Sequence, residues 1–252
     1  MLNWVKKKLR PTYHRYFLNF HTVKALEWRA IKGWINPRNN GMLLDVGSGN
    51  GQHIRKLRNS VGFIVGLDRN IKGITSAYSY NRSRNAAYMV GDALALPFNN
   101  QTFDLVLSIC ALEHFADDTA AIREINRVLK KDGRFILTVD TMNYRGISAS
   151  YRDACRSKHF VYRFYNKDSL GAKLRDFGFA LIRGRYIISS PVSSLAYKAS
   201  TFFRWRRIDF VEPLLYPILF PVAHLIDNIF GLSFKDEGYI FAAEVVKQRD
   251  MW

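Results

Sequence analysis

Three glycines at alternate positions behind a short apolar strand constrain this chain more than any other feature. The run is Leu43-Leu44-Asp45-Val46-Gly47-Ser48-Gly49-Asn50-Gly51. An apolar segment that delivers an acid and then Gly-x-Gly-x-Gly reads as a strand entering a tight turn, because glycine tolerates positive φ and has no Cβ. The amides of such a turn can approach a nucleotide-like ligand at the mouth of the next helix. A dinucleotide fingerprint would read Gly-x-Gly-x-x-Gly; here Gln52-His53 follow Gly51, so the spacing leans toward a ligand without a pyrophosphate. A glycine-rich turn can also be only a tight connection.

The segments downstream repeat the pattern of a strand ending in small or polar groups. Phe63-Ile64-Val65-Gly66-Leu67-Asp68 ends in a carboxylate, where a ribose lies in a doubly wound sheet. Ala87-Tyr88-Met89-Val90 ends at Gly91-Asp92-Ala93, and Phe103–Ile109 ends at Cys110-Ala111-Leu112-Glu113-His114. Strands predicted near 42–46, 62–67, 86–90, 103–109 and 133–140 alternate with helices near 51–59, 70–83 and 117–131, the βαβ pattern of a parallel sheet. Open sheets of this kind bind ligands outside the carboxyl ends of their strands.

Over residues 42–140 the chain resembles the class I S-adenosylmethionine-dependent methyltransferases. The resemblance rests on five motifs in order: LLDVGSGNG, the strand-end Asp68, GDALALPF, FDLVLSICALEHF and REINRVLKKDGRFIL. It implies a Rossmann-like, seven-stranded, mostly parallel α/β sheet with helices on both faces, an antiparallel last strand, and S-adenosylmethionine as cofactor. By the same resemblance the glycine turn cradles the methionine part, the acid after strand two takes the ribose hydroxyls, and the Asp-Ala pair after strand three meets the adenine. The implied cofactor contacts are Asp45, Gly47, Ser48, Gly49, Gly51, Asp68, Arg69, Asp92, Ala93 and Ile109. The chain departs from the family at Lys130-Lys131-Asp132-Gly133, where Lys-Pro-Gly-Gly is frequent, and at Asn50, where Thr is common.

The rest of the chain reads as additions to that domain. Residues 1–40 form a basic, aromatic lead-in, helical from about Val23 to Ile35; residues 41–190 and 236–248 form the methyltransferase domain; residues 191–235 form a helical insertion between the last two strands, near 179–189 and 238–246. Residues 141–165 show little periodicity and precede a helix from about Asp168 to Phe177. The insertion mixes Lys198, Arg204, Arg206 and Arg207 with Tyr197, Phe202, Phe203 and Trp205, then runs through Pro213–Pro221 into an apolar stretch. Pro217 and Pro221 would each cost about 3 kcal/mol inside a helix, which argues against a spanning segment. A helix beginning near Pro221 would gather His224, Asp227 and Asn228 on one face and apolar residues on the other, the pattern of a membrane-interface element. A cap on the sheet or a dimer contact is the other reading.

A formal net charge of +17 calls for a polyanionic neighbour, an anionic membrane surface or nucleic acid. The proline-punctuated apolar insertion favours the membrane, with RNA as the alternative. Cys110, in a strand read as buried, and Cys155 form no disulfide framework or zinc-ligand spacing, so no metal is expected. No apolar stretch follows the first residues as a secretory signal requires; a cytoplasmic protein, peripheral at the inner face of a membrane, is the expectation.

The chemistry implied is methyl transfer to an oxygen, nitrogen or carbon nucleophile, in which positioning is the main catalytic term. His114, just past strand four, is the candidate base for an oxygen nucleophile; it could equally only order its loop. Arg152, Arg156, His159 and Arg163 form a candidate lid that could recognise an anion, or a solvated surface. The acceptor is read as a lipid, a quinone precursor or a lipid-linked glycan. Methylation of RNA and a non-catalytic cofactor-binding scaffold are the alternatives.

Overall fold

The computed structural model describes residues 22–36, 41–145, 147–206, 212–229 and 236–251. Most of the basic lead-in at 1–40, and Arg207 and Phe230 of the insertion, lie outside the described residues. So do the side chains of Arg204, Asp227 and Asn228. Seven strands, β1 Met42–Val46, β2 Phe63–Asp68, β3 Ala86–Val90, β4 Phe103–Ile109, β5 Leu129–Asn143, β6 Phe179–Ile187 and β7 Gly238–Lys247, form one sheet in the order β3-β2-β1-β4-β5-β7-β6. Strands β1 to β5 pair in parallel. β7 runs antiparallel between β5 and β6: Gln248 at its end donates to the Gly178 carbonyl ahead of β6, and the Lys247 ammonium reaches the Leu129 carbonyl where β5 begins.

The chain leaves β1 toward β2 and β3, then returns to the other side of β1 with β4. That reversal opens a crevice beyond the carboxyl ends of β1 and β4, where a doubly wound sheet binds ligands. The central strands can sit there because most of their side chains are apolar. Leu43, Leu44, Val46, Val106, Leu107, Phe135, Ile136, Leu137 and Val139 are completely buried, as parallel strands covered on both faces require.

The connecting helices are α2 Gln52–Leu57, α3 Ile71–Tyr80, α4 Asp118–Val128, α5 Ala149–His159 and α6 Lys167–Asp176. Side chains start four of them: Asn70 accepts from the Lys72 and Gly73 amides, Asp117 from Ala120, Ser148 from Tyr151, and Asn166 forms a capping box with Ser169. Two expectations are corrected. Helix α4 ends at Val128 rather than near 131, because Leu129 is already extended and opens a 15-residue β5. The stretch read as unpatterned at 141–165 contains α5, whose buried Cys155 is its one fully covered side chain and leaves too thin an apolar stripe to show a period.

Residues 33–185 and 240–252 form one compact unit, which holds the crevice. Within it Glu244 of β7, buried, accepts from Arg134 of β5 at 2.7 Å and from Arg183 of β6 at 2.5 Å, so one carboxylate ties three strands. The other unit comprises residues 1–32 and 186–239. Its described helices are α1 Thr22–Ile31, α7 Pro191–Trp205 and α8 Glu212–Ile229, which pack on one another. Helix α1 ends at Ile31 rather than Ile35. Helix α8 begins at Glu212, not near Pro221, and carries Pro217 and Pro221 inside it. The rings of Tyr216, Phe220 and His224 stack along it, with centroids 5.2 and 5.9 Å apart, and Ala223 is buried in the packing. Those contacts offset the lost hydrogen bonds, which propensity alone could not foresee.

Candidate active site

The turn after β1 is held in a conformation that its glycines permit. Gly47, Gly49 and Gly51 have φ of 78°, 54° and 73°, and the Gly47 and Ser48 amides both donate to the Leu67 carbonyl at the end of β2, at 2.8 and 3.1 Å. A Cβ at Gly47 would stand 2.5 Å from that of Ala111, whereas one at Gly49 would meet nothing within 4 Å. The turn is thus closed toward β4 and open at its tip. Gly51 leads directly into α2.

Two carboxylates flank this turn in different states. Asp45 is 1% exposed, and neither of its oxygens receives a hydrogen bond within the protein. Burial, and secondarily the charge of Asp68, pushes its pKa up to about 7. The His53 Nδ1 lies 3.9 Å from the Asp45 Oδ2. Asp68 instead accepts from the Gly49 amide at 2.8 Å and the Asn70 amide at 2.7 Å. A carboxylate has about four acceptor positions, so roughly two remain for a ligand.

Arg69 next to it is exposed. At the end of β3, Asp92 is exposed and accepts from the Leu94 amide at 3.0 Å, while Ala93 is buried. Ile109, buried, closes β4, and the buried Ser48 hydroxyl has no partner within the protein. An orphaned buried acid, a half-used acid and an exposed acid, separated by small and apolar groups, suit a ligand bearing an ammonium, a vicinal diol and an exocyclic amine. These are the polar groups of S-adenosylmethionine.

The end of β4 forms the other wall. Cys110 lies one residue past the strand, half-buried rather than inside it, with φ of 47°; its amide donates to the Thr138 carbonyl and hydroxyl, both at 3.0 Å. A short turn, Leu112–His114, follows, and buried Glu113 accepts from the Asp140 amide at 3.0 Å. The Sγ of Cys110 and the carboxylates of Glu113 and Asp140 lie within 4.8 Å of one another. His114 is half-exposed, with Nδ1 3.2 Å from the Phe160 carbonyl. That contact is consistent with a hydrogen on Nδ1.

Three of the candidate lid residues, Arg152, Arg156 and His159, lie on α5, and each arginine of the set has a contact within the protein. Arg152 donates to the Met142 carbonyl, Arg156 stacks over Phe164 at 5.3 Å, His159 sits in the last turn of α5, and Arg163 pairs with Asp118 at 2.6 Å. What anchors this region is a cluster that sequence reading missed. Asp118 is 1% exposed and takes Arg163, Lys173 at 2.5 Å and the Tyr165 hydroxyl. Beside it, Tyr162 donates its amide to the Glu113 carbonyl at 2.9 Å, and Phe160 and Tyr162 are 81% and 59% exposed.

A family model described as a methyltransferase domain matches residues 44–137. The Bacillus subtilis protein YrhH, itself named as a methyltransferase, is 30% identical over 146 residues, 56% of this chain and 79% of that protein. The demethylmenaquinone methyltransferase of Corynebacterium kroppenstedtii is 35% identical over 108 residues, 42% of this chain and 45% of the relative. The Saccharomyces cerevisiae tRNA (carboxymethyluridine(34)-5-O)-methyltransferase is 31% identical over 124 residues, 49% and 43% of the two chains. The chain thus spans less than half the length of the latter two relatives. Among solved structures, Haemonchus contortus phosphoethanolamine N-methyltransferase 2 with S-adenosyl-L-methionine superposes with a TM-score of 0.64 at 20% identity, covering 88% of this chain and 52% of that one; at that identity what is shared is the fold.

Proposed function

The chain belongs to the class I S-adenosylmethionine-dependent methyltransferases, and from that premise we propose that it methylates a lipid, quinone-precursor or lipid-linked glycan acceptor at the inner face of a membrane. Its cofactor, S-adenosylmethionine, supplies a methyl group activated on a sulfonium. In this reading Asp45 holds the cofactor's ammonium, the Gly47–Gly51 turn lets backbone lie against its methionine part, and Ser48 lines that turn. Asp68 accepts the ribose hydroxyls with Arg69 at its rim, and Asp92, Ala93 and Ile109 bound the adenine. His114 takes the proton of an acceptor hydroxyl, and the in-line approach that methyl transfer needs comes from positioning.

The observation that carries the acceptor reading is the pair of large, exposed aromatic side chains, Phe160 and Tyr162, beside His114. Such groups flanking a methyl-transfer site suit an acceptor whose body is apolar and whose nucleophile is polar. The resemblance to a demethylmenaquinone methyltransferase points the same way. The test is to incubate the protein with radiolabelled S-adenosylmethionine and a cell extract, then separate lipid, RNA and protein; label is expected in the lipid pool.

The second reading, methylation of RNA, is favoured by the +17 charge and the tRNA-modifying relative, and would place the label in RNA with binding that falls steeply with salt. Tight cofactor binding with no labelled pool would leave the non-catalytic scaffold.

A further inference from the structure

The unit containing α7 and α8 presents a surface that the cofactor site does not use. On α8, Leu214, Ile218, Val222 and Leu225 are 66%, 65%, 44% and 49% exposed. Their spacing of four, four and three residues lines them up on one side of the helix, and Pro217 and Pro221 are exposed with them. No Asp, Glu, Lys or Arg lies between positions 213 and 226. The opposite side is committed: Ala223 is fully buried, and α8 packs on α7 and α1. Four large aliphatic side chains in one uninterrupted stripe are more than the scattered apolar exposure of an ordinary surface.

We infer that this stripe is the membrane-docking surface of the protein, lying in the headgroup region of an anionic bilayer. The inference rests on the lipid-acceptor reading above for its purpose, and on charge for its partner. A chain with net charge +17 repels a second copy of itself and is drawn to an anionic surface. The described part of the same unit carries cations that such a surface needs, Lys24 on α1, Lys198 on α7 and Arg206 just after it, and the sequence ahead of Glu27 has no carboxylate. Arg206 is exposed and stacks 5.5 Å over the half-exposed Phe202, an arrangement that lets one side chain meet acyl chains while its neighbour meets phosphate.

The prolines fix the depth. Each removes an i→i−4 hydrogen bond, and because they stand four apart Pro221 leaves the Pro217 carbonyl without its helical donor, as Pro217 does that of residue 213. Freed carbonyls need water, so the helix belongs in the hydrated interface and not in the hydrocarbon core. In agreement, no helix among the described residues is long and apolar enough to cross a membrane.

The test uses the full chain with sedimenting vesicles of equimolar phosphatidylglycerol and phosphatidylcholine, and of phosphatidylcholine alone. Binding to the anionic vesicles is expected to exceed that to the neutral ones by about tenfold or more, and the double variant Leu214→Glu/Ile218→Glu to bind them about 100-fold less tightly, with its affinity for S-adenosylmethionine unchanged. An Ile218→Trp variant should show a blue shift of its added fluorescence on mixing with anionic vesicles. Equal binding by the double variant would overturn the assignment. So would a parent chain that ignores both vesicle types, or one that dimerises through the stripe without binding vesicles. Labelling of detergent-solubilised lipid, run alongside, separates the two ideas: a chain that methylates that lipid but ignores vesicles loses the docking surface and keeps the acceptor.

Discussion

Asp45 sits where its side-chain type is least comfortable, buried and without a donor, and its pKa rises from 3.8 to about 7 in consequence. The sign of the effect is fixed by linkage. A carboxyl whose folded pKa is raised makes the native state bind a proton more tightly, so stability falls as pH climbs from about 4 to 7, and the cost is fully present above that range. Asp45→Asn is therefore expected to raise the thermal midpoint of the cofactor-free protein above about pH 8, by the equivalent of roughly 1–3 kcal/mol, and to leave it nearly unchanged near pH 4. A bound ammonium reverses the preference, so S-adenosylmethionine should bind the parent more tightly as pH rises through 7. Calorimetry across pH should show that dependence flattened in the variant, with affinity at pH 8 at least about tenfold lower.

Asp68 offers a different contrast, since it already holds the Gly49 and Asn70 amides. Asp68→Ala removes the turn's tether together with the diol's acceptor, and the cofactor dissociation constant should rise by about 10- to 100-fold in the same titration.

At the scale of elements, the region between β5 and β6 is fastened to α4 through one carboxylate. Burial alone would push Asp118 up, but hydrogen bonds from Lys173 and Tyr165, with the charges of Lys173 and Arg163, outweigh it and hold the group below its ordinary value. A depressed pKa contributes stability that is present above the unfolded value and is lost as pH falls through the folded one. Asp118→Asn should cost about 3–5 kcal/mol at neutral pH in denaturant unfolding, with the difference from the parent closing in acid. Lys247 does comparable work at the other end of α4: buried, it donates to the carbonyls of Asn126 and Leu129, both at 2.8 Å, and pairs with Asp250.

These two clusters mark the limit of what the sequence could disclose. The glycine turn, the strands and the acids at their ends are local patterns, written in consecutive residues, and the structure places them around one crevice. Asp118 and Lys247 find partners 45 and 121 residues away, for which no local period exists. Nor could spacing say that α8 would run straight through two prolines, because the stacked rings and the neighbouring helices that sustain it are tertiary. The candidate lid was visible only as a density of cations, and each of its arginines proves to have its own separate contact.

For the molecule as a whole, charge is the dominant property. An excess of 17 positive charges makes any association with a polyanion depend on ionic strength, and the screening length shrinks from about 10 Å at 0.1 M salt to about 3 Å at 1 M. If lipid is the partner, vesicle binding should weaken on adding salt but level off, since the aliphatic stripe of α8 contributes a part that salt does not screen. A nucleic-acid complex held mainly by phosphates should instead keep falling linearly in the logarithm of salt. Sedimentation in a salt series distinguishes the two curves.

Strand β6 closes the sheet on one side, and its outer residues Leu181 and Ile182 are 44% and 50% exposed, followed by Arg183 and Arg185. A rim of unsatisfied main-chain groups bearing aliphatic side chains is a template onto which another polypeptide can add. Arg183 is committed to Glu244, so Arg185 is the sentry against that, since copies brought edge to edge would set like charges against each other. Stripping Arg185 away would leave the folded chain prone to growing into fibrils from this border.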